Sequence, residues 1–175
     1  MSHTTDFILA MAKHLPPSSA ALSLLDVAGV SAPVLSQQRP DIAARTMPMN
    51  SRDWSVPANS ADAITAYNRQ LDAEFLAVAL DALRPGGRLI VVRPDGTAQG
   101  SMVRALEAAG YTRILVEPAL DDTPQGVLMR GEKPHQVADT LERIQSVAGQ
   151  DAAIDSLEAF RGRYVHLLIR QSPNK

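Results

Sequence analysis

The sequence predicts an α/β domain with a doubly wound, mainly parallel sheet. Short apolar runs of strand length alternate with amphipathic segments of helical spacing along most of the chain. Aromatic residues make up only 4% of the composition and alanine is abundant, and small side chains let helices pack closely on a sheet. The 175 residues, 45% of them hydrophobic, are enough for about one domain with a sizeable core.

Two helices and two strands are predicted in the first 47 residues of the chain. Apolar residues recur every four positions in the first helix, and Pro16 ends it. A short apolar run then has the length of a buried strand, and Pro40 ends the short helix that follows. In order, these elements are a helix over residues 5–15, a strand over 21–27, a helix over 31–38 and a strand over 42–47.

The clearest strand is predicted over residues 88–92. It is β-branched and apolar on both faces, as is typical of a central parallel strand. A strand over 61–67 and a helix over 72–83 precede it, after a loop at 53–57. Residues 84–87 are predicted to form a sharp turn, because proline presets φ and glycine supplies positive φ.

The end of the sheet has two candidate antiparallel strands. A helix over residues 101–109, ended by Gly110, leads to a strand over 112–116. Either 126–130 or 164–169 is expected to run antiparallel near the C-terminus, and 164–169 at an edge would favour self-pairing into a dimer. Further helical spacing occurs around 137–147 and 154–157.

Composition excludes several classes of function. Seventeen basic against nineteen acidic residues give a net charge of −2, which argues against nucleic-acid or membrane binding by bulk charge. No apolar run is long enough to span a bilayer. The chain has no cysteine, and its four histidines are far apart, so we expect neither disulfides nor a metal site. The start of the chain lacks a basic signal-peptide region, so a cytoplasmic location is expected.

Residues 83–92, Leu-Arg-Pro-Gly-Gly-Arg-Leu-Ile-Val-Val after an amphipathic helix, resemble the late motif of class I S-adenosylmethionine-dependent methyltransferases. In that family the turn leads into the fifth strand. Residues 24–27 resemble the family's first strand, 61–65 its fourth, and 110–112 with the following run its sixth. The resemblance covers roughly 22–133 and implies a Rossmann-like fold.

The resemblance also implies a cofactor site. It places the turn after the first strand against the charged end of S-adenosylmethionine, an acidic residue after the third strand against adenine, and substrate-side residues after the fourth. The alternatives are a strand-end carboxylate that caps the next turn, a surface turn with a tryptophan over the sheet edge, and a polar strand end. The residues concerned are Asp26, Ala28, Gly29, Asp53, Trp54 and Tyr67.

The sequence departs from the family at the cofactor turn. Aligned on Asp26, the three glycine positions fall on Ala28, Val30 and Ala32, and Gly29 is one place out of register. Glycines there permit positive φ and close approach of the backbone, so added side chains are expected to fill the space of the ligand. No carboxylate follows the second strand to hold the ribose hydroxyls, and the crossover between the first two strands is short.

The sequence therefore predicts a methyltransferase-like domain that has lost S-adenosylmethionine binding and serves in protein interaction or assembly, with a protein partner or as a homodimer. The alternative is an active methyltransferase, which would act by holding the methyl donor and the nucleophile in line. The predicted organisation is an N-terminal helical segment over 1–20, the methyltransferase-like domain over 21–133, and helices and a strand over 134–175 that complete or extend it.

Overall fold

Four helices surround a six-stranded sheet in the computed structural model, which describes residues 3–18, 20–121 and 123–135. The helices are His3–Ala12 (α1), Ala32–Gln38 (α2), Ala73–Ala82 (α3) and Gly100–Ala108 (α4). The strands are Leu22–Val27 (β1), Ile42–Met47 (β2), Ala61–Tyr67 (β3), Leu83–Arg93 (β4), Thr112–Leu120 (β5) and Thr123–Glu132 (β6). In this part of the chain, no helix is both long and apolar enough to cross a bilayer.

The sheet has the order β2-β1-β3-β4-β6-β5. β2, β1, β3 and β4 pair in parallel, and β6 pairs antiparallel with both β4 and β5. This confirms the mainly parallel sheet with one antiparallel strand near its end. Of the two candidates for that strand, 126–130 lies within β6, whereas 164–169 and everything else predicted for 136–175 lie outside the described residues.

Helices cover both faces of the sheet because the strands present apolar side chains alternately to either side. One apolar cluster joins the sheet to α3 and α4, and a second joins it to α1 and α2. In β1, for example, Leu25 and Val27 belong to the first cluster and Leu24 to the second. The predicted doubly wound arrangement is therefore confirmed.

α3 illustrates how the sequence specifies a helix that supports the sheet. Asp72 caps its start, where the carboxylate accepts a hydrogen bond from the Phe75 N–H at 2.8 Å. Phe75 and Leu76 are buried on the face that packs against the sheet. The Tyr111 hydroxyl donates to the Leu76 carbonyl at 3.0 Å, and burial raises the pKa of Tyr111 above its ordinary range.

Residues 84–87 do not form a separate turn, contrary to the prediction. β4 begins at Leu83, opposite Ala61, and its next partnered residue is Arg88, opposite Ala63. The four β4 residues 84–87 thus lie opposite the single β3 residue Asp62, so the glycine-rich segment is a bulge inside the strand. Gly86 has a φ of 79°, and its N–H donates to the Lys133 carbonyl at 2.8 Å, which keeps the bulge paired with the chain just after β6.

α1 packs on the same sheet as the rest of the domain. Phe7, Ile8 and Met11 are buried in the second cluster. Beyond the helix, the Arg88 guanidinium donates to the carbonyls of His14 at 3.0 Å and Leu15 at 3.3 Å. The N-terminal segment is therefore an integral layer of the fold.

Gly126 is expected to be essential for the docking of α1. It has a φ of 90°, and a Cβ at this position would clash with the Phe7 ring. We expect Gly126→Ala to destabilise the protein by about 2–4 kcal/mol, because positive φ and overpacking both cost energy. Urea unfolding measures the change, with Gly100→Ala as the matched control, since a Cβ there meets only the Arg104 guanidinium at 3.4 Å. Equal stability of the two variants would contradict this packing.

His14 should make stability depend on pH. Its imidazole lies 3.4 Å from Glu117, which raises its pKa, but burial and the charges of Arg130, Arg88 and Lys13 lower it more. The folded protein therefore binds this proton less readily than the unfolded chain, so its contribution to stability is present above a pH of about 6.5 and is lost as the pH falls. We expect His14→Gln to lose less stability than the wild type between about pH 7 and pH 5. If urea unfolding shows the same loss of stability in both proteins between these pH values, His14 is not the group responsible.

Candidate functional site

The predicted site residues follow the carboxyl ends of neighbouring parallel strands, where open α/β sheets bind ligands. Asp26 is the second-last residue of β1, and Ala28 and Gly29 follow the end of that strand. Tyr67 is the last residue of β3. Asp53 lies in the connection after β2. The topology therefore places these residues at one end of the sheet.

The Asp26 carboxylate is fully buried and hydrogen-bonded within the protein. One oxygen accepts from the N–H groups of Ser31 at 3.0 Å and Ala32 at 2.7 Å, and the other accepts from the Ser31 hydroxyl at 2.7 Å. The Ser31 hydroxyl is also 2.6 Å from the Thr65 hydroxyl on β3. Asp26 thus links β1 to the start of α2 and, through Ser31, to β3.

The turn after β1 is left-handed at two consecutive residues. Ala28 has a φ of 63° and Gly29 a φ of 71°. Positive φ therefore occurs at positions 28 and 29 and not at Val30 or Ala32. Val30 packs against the apolar cluster of α1 and α2. Alanine in this conformation costs about 1–2 kcal/mol, so the surrounding contacts must hold the turn in place.

Four backbone N–H groups at this turn are used inside the protein. Ala28 donates to the Met47 carbonyl at 2.8 Å, and Gly29 donates to the Asp26 carbonyl at 3.3 Å. Ser31 and Ala32 donate to the Asp26 carboxylate. Four amides of this turn are therefore already bonded within the protein.

Asp53 follows the second strand of the sheet and not a third, which corrects the predicted position of its loop. A 3₁₀ turn over Ser51–Asp53 is the only regular element between β2 and β3. The Asn50 side chain caps this turn by accepting from the Arg52 N–H at 3.3 Å, and it donates to the exposed Asp53 carboxylate at 3.1 Å. The Asn50 side chain is thereby engaged within its own loop.

Trp54 packs on α3. Its indole N–H donates to the Pro48 carbonyl at 2.8 Å, and its ring meets Phe75 edge-on at a centroid distance of 5.9 Å. The Arg69 guanidinium lies 4.2 Å from the centre of the Phe75 ring and donates to the Met49 carbonyl. These contacts hold the connection after β2 against the start of α3.

Tyr67 is half-buried and faces α1. Its hydroxyl is 3.5 Å from the Thr4 hydroxyl, and its ring packs with the cluster formed by α1 and α2. Asn68 then turns the chain with a φ of 54°, and its N–H donates to the Val92 carbonyl at 2.7 Å. Tyr67 therefore supports the N-terminal helix, whatever else it contacts.

Sequence reasoning missed the partners of Asp26. Ser31 precedes a helix that has proline in its first turn, which is a recognisable helix-start signal, but nothing in the sequence pairs it with Thr65. The sequence also gave no sign of a groove of about 620 Å³ between α1 and the β5–β6 hairpin, lined in part by Lys13, His14 and Glu117. No group of three or more potential ligands placed to hold a metal ion occurs among the residues described.

Asp26 should be essential for stability. Asp26→Ala leaves the N–H groups of Ser31 and Ala32 without their acceptor in a buried site, which we expect to cost about 2–4 kcal/mol. Asp53→Ala, which removes an exposed carboxylate, should change stability by less than about 0.5 kcal/mol and serves as the control. Denaturant unfolding of both variants measures the difference. A wild-type stability for Asp26→Ala would show that the carboxylate is not structural.

No known protein family and no curated protein matches the chain by sequence. Solved structures do match it in three dimensions. A chain of the complex between the Haloferax volcanii Trm112 methyltransferase activator and a methyltransferase is 12% identical with a TM-score of 0.56, over 74% of this chain and 90% of the other. A structure assigned as an O-methyltransferase from Nostoc punctiforme is 12% identical with a TM-score of 0.57, over 74% of this chain and 56% of the other. The chain thus spans little more than half the length of that protein.

A third similar structure is the [4+2]-cyclase SpnF, which is 14% identical with a TM-score of 0.54, over 75% of this chain and 81% of the other. At such identities the likeness concerns the fold. The described part of the chain has the class I methyltransferase-like fold, as the sequence predicted. The cyclase also illustrates that the fold does not determine the reaction.

Proposed function

We propose that this domain of class I methyltransferase-like fold does not bind S-adenosylmethionine and serves as a protein-interaction or assembly module. The observation that carries the proposal is the hydrogen bonding of the turn after β1. The amides of Ala28, Gly29, Ser31 and Ala32 all donate within the protein. A cofactor carboxylate that binds any of these four amides would first have to break its existing hydrogen bond. Amides exposed to water would bind the carboxylate without the loss of an internal bond.

The connection after β2 supports the same proposal. Met47 is buried, Pro48 has no N–H, and the Asn50 side chain is bonded within its own turn. No carboxylate stands at the end of β2 to pair with ribose hydroxyls. We therefore expect this region to bind the ribose of a nucleoside only weakly.

Trp54 gives a further argument. An indole that stacks on adenine must turn one face toward the base, so contacts that fix its orientation restrict such stacking. The Trp54 ring packs edge-on against Phe75, and its N–H is bonded to Pro48. The simplest role for Trp54 is to cover the side of α3, whereas the alternative drawn from the sequence placed it over the sheet edge.

The residues present thus do not fit S-adenosylmethionine well, and no methyl-transfer step follows from them. The absence of cysteine is in keeping with the cytoplasmic location that we propose.

An active methyltransferase is the second candidate, and one observation favours it. The Asp53 carboxylate is exposed, and Gly29 has a left-handed backbone in the turn after β1. If the cofactor bound, Asp53 would hold its adenine. The chain would then accelerate methyl transfer by positioning the donor against a nucleophile.

Titration calorimetry with S-adenosylmethionine and S-adenosylhomocysteine separates the two functions. For the full chain we expect no heat of binding up to about 1 mM ligand, which corresponds to less than about 4 kcal/mol of binding free energy. A methyltransferase of the same fold that is known to bind the cofactor serves as the positive control.

The alternative gives a different result in the same experiment. Micromolar binding that Asp53→Ala weakens tenfold or more would overturn our proposal. Because Asp53 is exposed, its substitution is not expected to perturb the fold, so a loss of binding would report on the site itself.

A further inference from the structure

We propose that the outer edge of β2 pairs with the same edge of a second copy of this chain, antiparallel and centred on Ala44. This edge would be the interaction surface of the assembly module, so the inference rests on the proposed function. It would join two six-stranded sheets into one continuous sheet across a twofold axis.

β2 is open on its outer side. It is the last strand at its end of the sheet, and within the described part of the chain no strand pairs with its outer edge. The side chains of its four central residues are exposed on both faces of the sheet, so neither α2 nor the connection to β3 covers them. These residues are Ala43, Ala44, Arg45 and Thr46.

The pairing of β2 with β1 identifies the backbone groups that point outward. The Leu22 N–H donates to the Asp41 carbonyl and the Ala28 N–H donates to the Met47 carbonyl, both at 2.8 Å. Odd-numbered residues of β2 therefore direct their backbone groups toward β1. Because successive residues alternate, the groups of Ile42, Ala44 and Thr46 point away from the sheet.

One antiparallel register uses all three of these residues. With Ala44 opposite Ala44 of the second copy, Ile42 lies opposite Thr46. The two alanines exchange two hydrogen bonds, and each Thr46 N–H reaches an Ile42 carbonyl, which gives four bonds in total. The Ile42 N–H already donates to the Arg39 carbonyl at 3.2 Å, so it is not available to the second copy.

The ends of the strand match the same register. Pro40 and Pro48 each lie four residues from Ala44, so they face each other at the two ends of the paired segment. Proline cannot donate to a ladder and is common where pairing stops. The segment between them is thus symmetric about Ala44 in the groups that it offers to a partner.

The side chains are compatible with this arrangement. Each Arg45 has the small Ala43 of the second copy directly opposite, and Asp41 and Arg45 of that copy at its two diagonals. In its own chain the Arg45 guanidinium donates to the Ser55 carbonyl at 3.2 Å, and no carboxylate of the described residues is bonded to it. Asp41 of the second copy, which the Arg39 guanidinium binds in its own chain, brings a carboxylate to one diagonal, and the symmetry of the segment about Ala44 favours a second copy as the occupant.

A single cysteine tests the register, because the natural chain contains none. In the full chain, Ala44→Cys should form a disulfide-linked dimer under mild oxidation, since the two residues face each other across the axis at a Cα separation of about 5.5 Å. Ala43→Cys is the matched control. Its two copies lie on a diagonal, beyond the roughly 7 Å that a disulfide spans, and should stay unlinked. Linkage at 43 and not at 44, or at neither, would overturn the proposed pairing.

Light scattering of the wild type and of Ala44→Pro tests the dimer without a covalent bond. Proline removes only an outward N–H, so β1 pairing is kept, and we expect the dissociation constant to rise at least tenfold. Unfolding in urea checks that the variant is folded. A wild type that stays monomeric at high concentration, or a folded Ala44→Pro variant that dimerises as well as the wild type, would overturn the inference.

The same samples, titrated with S-adenosylhomocysteine, keep this inference distinct from the proposed function. A dimer that binds the ligand would refute the loss of cofactor binding and leave the pairing intact. A monomer that does not bind it would refute the pairing alone.

Discussion

The buried Asp26 carboxylate is the interaction on which the rest of this structure depends. A charge that is removed from water is tolerated only when hydrogen bonds replace its hydration. Ser31 and Ala32 supply those bonds, and the Ser31 hydroxyl is also hydrogen-bonded to the Thr65 hydroxyl in β3. The end of β1, the start of α2 and the centre of the sheet are thereby fixed to one another.

The same bonds determine which hydrogen-bond donors are available to a ligand at the end of β1. In a fold that binds ligands outside the carboxyl ends of its strands, free amides at the first turn are the natural anchor for an anionic group. Here four amides of the turn donate within the protein, and Ala28 has a left-handed backbone that is unfavourable for alanine. Stability of the turn and binding of a cofactor thus compete for the same donors. This competition is the physical basis of the proposed change from catalysis to assembly.

Much of the fold could be predicted from the sequence, because burial leaves a clear pattern in strands such as residues 88–92 and in the face of α3. The bulge at 84–87 could not, since proline and glycine mark a turn and a bulge alike. At the site, the sequence located Asp26 but not its role, because a strand-end carboxylate looks the same whether it binds a ligand or caps a helix. Thr65, which Asp26 reaches through the Ser31 hydroxyl, is 39 residues away along the chain and is brought close only by the pairing of β1 with β3.

Amide hydrogen exchange at the turn after β1, followed by NMR with and without S-adenosylhomocysteine, tests the central claim most directly. If the amides of Ala28, Gly29, Ser31 and Ala32 are already bonded, they should exchange slowly in the free protein, and the ligand should change neither their exchange nor their chemical shifts. Rapid exchange that becomes slow when the ligand is added would contradict the account, because it would show donors kept free for a bound cofactor.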